Sequence, residues 1–281
     1  MSGMTVMPLI PQREGPTKRE EAYMSAGKAN CLVCGEPLVY WEEAQEVTCH
    51  ICGKKETGHS ICEAGHYVCD MCHRAEGVDY IIGLCSASGS TDPIAIMNEA
   101  MNDKSIYPNG PEHHTLIGAA LITAFANAGG KNPKGEPLDK DAALAELRKR
   151  SLQVPGGTCG FWGTCGAAVS SGQAMSILNG STPMTEGPWA QCQRLTSIIL
   201  GRMADIGGPR CCKRTGYISV LTAVPYINQE LGGAMTLPNE VTCTFFNRNA
   251  ECRKKDCPFF PGADEEVRAL YRTSAEQRWV G

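Results

Sequence analysis

The spacing of apolar residues changes character near residue 90. From Thr91 onward they recur three and four positions apart, which is the helical period. Asp92-Pro93 is a helix start, because aspartate caps and proline suits the first turn, and IAIMNEAMN follows. Pro111 opens a second helix, EHHTLIGAALITAFANA, with Ile117, Leu121 and Ala124 on one stripe. Asp139 caps KDAALAELRKR; Leu144 and Leu147 face inward, and basic residues fill the last turn, where the helix dipole favours them. Trp189, Cys192, Leu195, Ile199 and Met203 form the stripe of a helix that ends at Gly207-Gly208-Pro209. Ile218, Leu221, Val224 and Ile227 mark another, ending at Gly232-Gly233. A last amphipathic helix is expected over Asp264–Gln277.

Before Thr91 the pattern is different. Residues 1–29 are polar, with Pro8, Pro11 and Pro16, and read as an N-terminal tail. Beyond them, LVY at 38–40 and EVT at 46–48 have strand character and flank C-x-x-C turns. Gly35 and Gly53 follow two of those turns, where a positive φ is needed. The expected fold is therefore mostly α. A small zinc-ribbon or treble-clef-like Cys/His module with short β-hairpins covers 30–90, and an α-helical domain with a Cys-rich site covers 91–281.

The net charge of −4 offers no basic field, which argues against bulk nucleic-acid binding. The opening MSGMTVMPLIPQREGPTKREE lacks the pattern of a signal peptide, and no stretch reaches the roughly 20 apolar residues of a membrane span. A cytoplasmic location without membrane partners is expected. In that compartment thiols stay reduced, so the 16 cysteines are read as ligands or working thiols rather than disulfides.

Seven of them fall between Cys31 and Cys72. In order they make four ligand pairs: Cys31/Cys34, Cys49/Cys52, Cys62/His66 (or His59/Cys62) and Cys69/Cys72. Tetrahedral zinc takes two such pairs, so two zinc ions are expected. Sequential pairing, first with second, is preferred over cross-braced pairing, first with third. The metal would be structural, because so short a module buries little core and metal binding supplies on the order of 10 kcal/mol per site. Four thiolates also suit iron, the alternative for one site.

The helical domain carries further chemistry. Cys159 and Cys165 lie in VPGGTCGFWGTCGAAVSSG at a glycine-rich helix entry, where backbone N–H groups lower a thiol pKa. Small residues at a tight helix crossing are the plainer explanation. Cys211 and Cys212 lie in GGPRCCKR, where Arg210, Lys213 and Arg214 would favour thiolate at both. Cys243, Cys252 and Cys257 are separated by eight and four residues, and Cys257-Pro258 is a step frequent at iron–sulfur ligands. An iron–sulfur cluster is expected among Cys211, Cys212, Cys243, Cys252 and Cys257, with a further structural zinc as the alternative. His113 and His114, in GPEHH, are candidates for proton transfer or ligation; Cys192 reads as core.

The ordered set PEHH, VPGG-x-CGFWG-x-CGAA, GGPRCCKR and C-x8-C-x4-CPF resembles the prokaryotic domain of unknown function 5714 over roughly residues 30–260. The CGAA segment is more weakly similar to C-GCAxxG-C-C redox proteins. The first resemblance implies a neighbourhood of methyltransferase or radical-enzyme modules in anaerobes, and such a protein as partner. The chain has no Gly-rich fingerprint for S-adenosylmethionine and no C-x3-C-x2-C radical-enzyme motif. The favoured function is a cysteine-rich iron–sulfur or thiolate-metal protein with redox or sulfur-handling activity, Cys159 and Cys165 being working thiols. A non-enzymatic zinc scaffold that docks a partner and zinc-thiolate methyl transfer are the alternatives.

Overall fold

The computed structural model describes residues 31–271, apart from Gly35, Ala250 and Leu270. The expected tail, the glycine of the first turn and much of the 264–277 helix lie outside the described residues. Strands β1 (Leu38–Thr48) and β2 (Lys55–Cys62) form an antiparallel hairpin, with Leu38 opposite Cys62 and Thr48 opposite Lys55. LVY and EVT are thus two ends of one strand, interrupted by a register shift between Tyr40 and Gln45. Its partner, KETGHSIC, was not anticipated: it is polar on both faces and presents no alternation to read. One close contact anchors the pair. A Cβ at Gly58 would come within 2.9 Å of Val47 and 3.1 Å of the Tyr67 ring.

Helix α1 (Asp70–Ala87) starts inside the fourth Cys pair, well before the expected change at Thr91. Its far end enters the hydrophobic core through Val78, Ile81 and Cys85. Gly77 and Gly83 blur its apolar face in the sequence; at Gly77 the backbone of Ser105 approaches so closely that a Cβ would lie 2.7 Å from its carbonyl. Asp92 and Asp139 cap α2 (Pro93–Asn102) and α4 (Lys140–Ser151) as expected, accepting from the N–H of Ile94 at 2.8 Å and Ala142 at 3.0 Å.

Helix α3 (His113–Asn127) is the centre of the molecule. Every residue from His113 to Phe125 is buried, because α1, α2, α4, α6 (Gly166–Leu178) and α8 (Cys212–Leu231) surround it. The expected stripe of Ile117, Leu121 and Ala124 is buried, and so are the other faces, as suits a helix enclosed on all sides. Gly118 makes the α3–α6 crossing close, since a Cβ there would sit 2.9 Å from the Ser170 carbonyl. Helix α7 (Gly187–Ile206) lies on α6 and α8 and buries Cys192, Leu195 and Ile199. Trp189, expected on the same stripe, is 48% exposed, in a first turn of α7 that is mostly exposed. Helix α8 ends at Gly232, whose φ of 68° is the left-handed cap that glycine accepts without strain. Two short helices, α5 (Thr158–Phe161) and α9 (Glu265–Ala269), complete the described set.

Residues 233–262 then run back, largely without regular structure, to the start of α8. The N–H of Cys243 donates to the Phe259 carbonyl at 2.7 Å, and the Phe259 ring packs on Tyr217 of α8 at 5.2 Å. That closure sets the geometry of the C-terminal cysteines.

Candidate metal centres

Cys31, Cys34, Cys62 and His66 offer ligand atoms that all lie within 4.8 Å of one another; Cys49, Cys52, Cys69 and Cys72 do the same. Both groups can hold a metal ion. The first pair therefore joins the third and the second joins the fourth, which corrects the expected sequential pairing. The reason lies in the hairpin. Strand β1 has 11 residues, and at about 3.3 Å per residue it holds its two ends roughly 30 Å apart. The first pair precedes β1 and the second follows it, so they cannot share an ion. The register sets Cys62 opposite Leu38, beside the first pair. A bridge between Cys49 and Tyr67 brings Cys69 to the second, and the Cys69 N–H donates to Cys49 Sγ at 3.3 Å.

His66, not His59, completes the first site: its Nδ1 lies 3.3 Å from Cys34 Sγ. The His59 ring stacks on Phe161 at 5.3 Å, and His50 packs edge-on against His66 at 4.5 Å. Burial works against ionisation of Cys49, yet N–H groups of Cys69, Cys52 and Ile51 bring it down to about 6. Burial and the neighbouring thiols of Cys52 and Cys69 push Cys72 up to about 12. Four crowded sulfurs cannot all ionise unless a cation lies between them. A tetrahedral set of three thiolates and an imidazole, and one of four thiolates, are the donor chemistry of structural zinc.

In the helical domain, Cys211, Cys243, Cys252 and Cys257 line one pocket with Lys213, Arg214, Arg253 and Asn249, between phenylalanine rings. Asn249 Nδ2 donates to Cys211 Sγ at 3.4 Å, and the N–H groups of Phe245 and Lys254 lie 3.4 Å from the sulfurs of Cys243 and Cys252. Burial pushes the Cys243 thiol up to about 11 and raises Cys257. Among the described residues, no three of these sulfurs meet the 4.8 Å spacing of the N-terminal groups.

Cys212 is not brought into that pocket. Its N–H donates to Asn109 Oδ1 at 3.1 Å, and its side chain faces Gly110, Glu112 and Cys165. Burial holds the thiol up to about 12, so the expectation that flanking cations ionise both cysteines fails at Cys212. Arg214 donates to the carbonyls of Gly207 and Pro209 and Lys213 to the Tyr107 carbonyl at 2.8 Å, and their charge does not offset the burial of Cys212.

His113 and His114 are buried rather than solvated. Lys213 Nζ lies 2.9 Å from His113 Nε2, and His113 Nδ1 lies 3.2 Å from Glu112 Oε1. An ammonium has no lone pair to accept with, so Nε2 accepts and Nδ1 carries the proton. Burial, and then the Lys213 charge, lower the His113 pKa, leaving a neutral ring between Lys213 and the Glu112 carboxylate, with its Nδ1–H donating to the Gly110 carbonyl at 3.1 Å. Burial also lowers His114, whose Nδ1 is 3.3 Å from the Val154 carbonyl. A Cβ at Gly166 would strike the His114 ring at 2.2 Å. Cys159 is exposed on α5, and Cys165 is half-buried at the N-cap of α6; neither lines the four-cysteine pocket.

Glu112, Asn109, Asn249 and Asp70 were not read from the sequence as site residues, since each makes its contact with a distant segment. Asp70, between two ligands at the start of α1, accepts from the Gly156 N–H at 2.5 Å. One turn on, Arg74 reaches the carbonyls of Leu152 and Val154. Together they fasten the loop that leads to Cys159. A model for a family of unknown function, DUF5714, matches residues 81–260, a shorter span than the resemblance suggested and one that begins after the hairpin module. No curated protein and no solved structure matches the chain.

Proposed function

The chain belongs to the DUF5714 family, and on that premise we propose a redox protein built around an iron–sulfur cluster at Cys211, Cys243, Cys252 and Cys257. Two zinc ions in the hairpin module stiffen it. The observation that carries the reading is the convergence of four cysteines from two distant segments on one pocket. Thiolate sets of this kind hold iron–sulfur clusters, which supply one-electron transfer when bound.

The chain's own residues fit that role. Lys213, Arg214 and Arg253 put positive charge around a group whose thiolates make it anionic. Asn249 and the N–H groups of Phe245 and Lys254 direct hydrogen bonds at three of the sulfurs, a means of tuning a potential. Phe245 and Phe259 are buried and, with Phe246 and Phe260, give the pocket an apolar lining. Pro258 stiffens the chain after Cys257.

Anaerobic purification or reconstitution tests this. The expected outcome is a coloured protein with about four iron and four acid-labile sulfide per chain. Colour is lost in Cys211→Ser and Cys257→Ser and kept in Cys212→Ser. A colourless protein carrying zinc alone overturns it.

A further inference from the structure

Cys159 and Cys165 sit at the two ends of one short loop. Its closure is local: the N–H groups of Trp162 and Thr164 both donate to the Thr158 carbonyl, at 2.9 and 3.2 Å. Neither cysteine belongs to a metal-ligand group among the described residues. The Thr164–Thr158 bond joins the residues that directly precede the two cysteines, so the fold brings Cys159 and Cys165 to neighbouring positions. Their exposure is unequal. Cys159 is open to solvent, and beside it Gly160 and Gly163 face empty space, with nothing within 4 Å of where a Cβ would be. Cys165 is half-buried at the N-cap of α6, and burial raises its pKa and keeps it a thiol at rest.

The surface around them is apolar without being covered. Phe161 is 73% exposed and Trp162 is 66% exposed, two and three residues after Cys159. His59 stacks under Phe161, and Asp70 holds Gly156, so the loop is presented from a fixed base. An outer thiol open to attack, an inner one sheltered nearby and a flat aromatic margin are the parts of a thiol–disulfide exchange site.

We infer that Cys159 and Cys165 are a surface dithiol that exchanges with a disulfide on a second protein, which rests its backbone on Phe161 and Trp162. The Cys159 thiolate attacks one partner sulfur; the partner S–S bond breaks, a mixed disulfide forms, and the released partner thiolate takes a proton from solvent. The Cys165 thiolate, its proton lost to solvent, then attacks Cys159 Sγ. The mixed disulfide breaks, the Cys159–Cys165 bond forms and the second partner thiolate leaves. This chain is oxidised by two electrons and the partner disulfide is reduced by two. The site goes beyond the cluster reading and does not need it.

The test uses the metal-loaded full chain and 5,5′-dithiobis(2-nitrobenzoate) as the disulfide. The wild-type chain is expected to release two thiolates in its fast phase and to end with a Cys159–Cys165 bond by peptide mass mapping. Cys165→Ser releases one and stops at a stable adduct on Cys159; Cys159→Ser loses the fast phase. Cys165→Ala repeats the trapping experiment, and zinc content checks that each variant is folded. A fast phase that survives in Cys159→Ser, or a wild-type adduct that never resolves, overturns the inference. Peptide mass mapping locates the adduct and the bond on these two cysteines whether or not the protein is coloured, so this result and that of the cluster assay are separable.

Discussion

Asp70 accepts a hydrogen bond from the backbone N–H of Gly156 at 2.5 Å, across 86 residues of chain. Asp70 lies between Cys69 and Cys72, so the second metal site and the Cys159 loop share one anchor. Asp70→Ala leaves that N–H without its acceptor and is expected to cost about 1–3 kcal/mol in denaturant unfolding. Amide exchange at Gly156 and Gly157 should quicken while both zinc ions stay bound. Unchanged exchange would show that the loop is held by other contacts.

Cross-bracing makes a prediction that single variants cannot. Cys31→Ser/Cys62→Ser removes two ligands from one site and should leave one zinc per chain. Cys31→Ser/Cys49→Ser damages both sites and should leave none. Sequential pairing predicts the reverse for the two doubles. Native mass spectrometry counts the ions directly.

His113 is the neutral link between two buried charges. His113→Ala leaves the Lys213 ammonium and the Glu112 carboxylate buried and unlinked, and breaking a buried charged network costs about 3–5 kcal/mol. His113→Gln, which keeps a donor and an acceptor, should recover part of that loss. Equal stability of the alanine variant and the parent would remove the link from the account.

His113 and His114 also set a pH dependence. Burial lowers both below the ordinary value of 6.5, so the native chain holds fewer protons than the unfolded chain as pH falls below it. Their contribution to stability is fully present above 6.5 and is lost downward from there, with a slope of up to about 1.4 kcal/mol per pH unit for each ring. Denaturant melts between neutral pH and 5 should show that decline, and His113→Gln should flatten it. A flat profile in the parent would mean that both rings protonate freely.

Much of this protein is legible along the chain because the relevant physics is local. Each C-x-x-C step places two sulfurs on one turn, and Asp92, Asp139 and Gly232 cap their helices through contacts a few residues long. These features announced two metal sites, a mostly helical body and a second set of thiols. Partnership was not announced. Which pairs share an ion follows from the β1–β2 register, and a polar strand gives no hint of its own pairing. Cys211 and Cys212 are neighbours in the chain, yet Cys211 is the extended N-cap of α8 and Cys212 its first helical residue, so the seating of α8 against residues 243–260 decides which one enters the pocket. Ligand spacing is a property of a single turn of backbone. Convergence of ligands is a property of packing between segments that only the folded chain brings together.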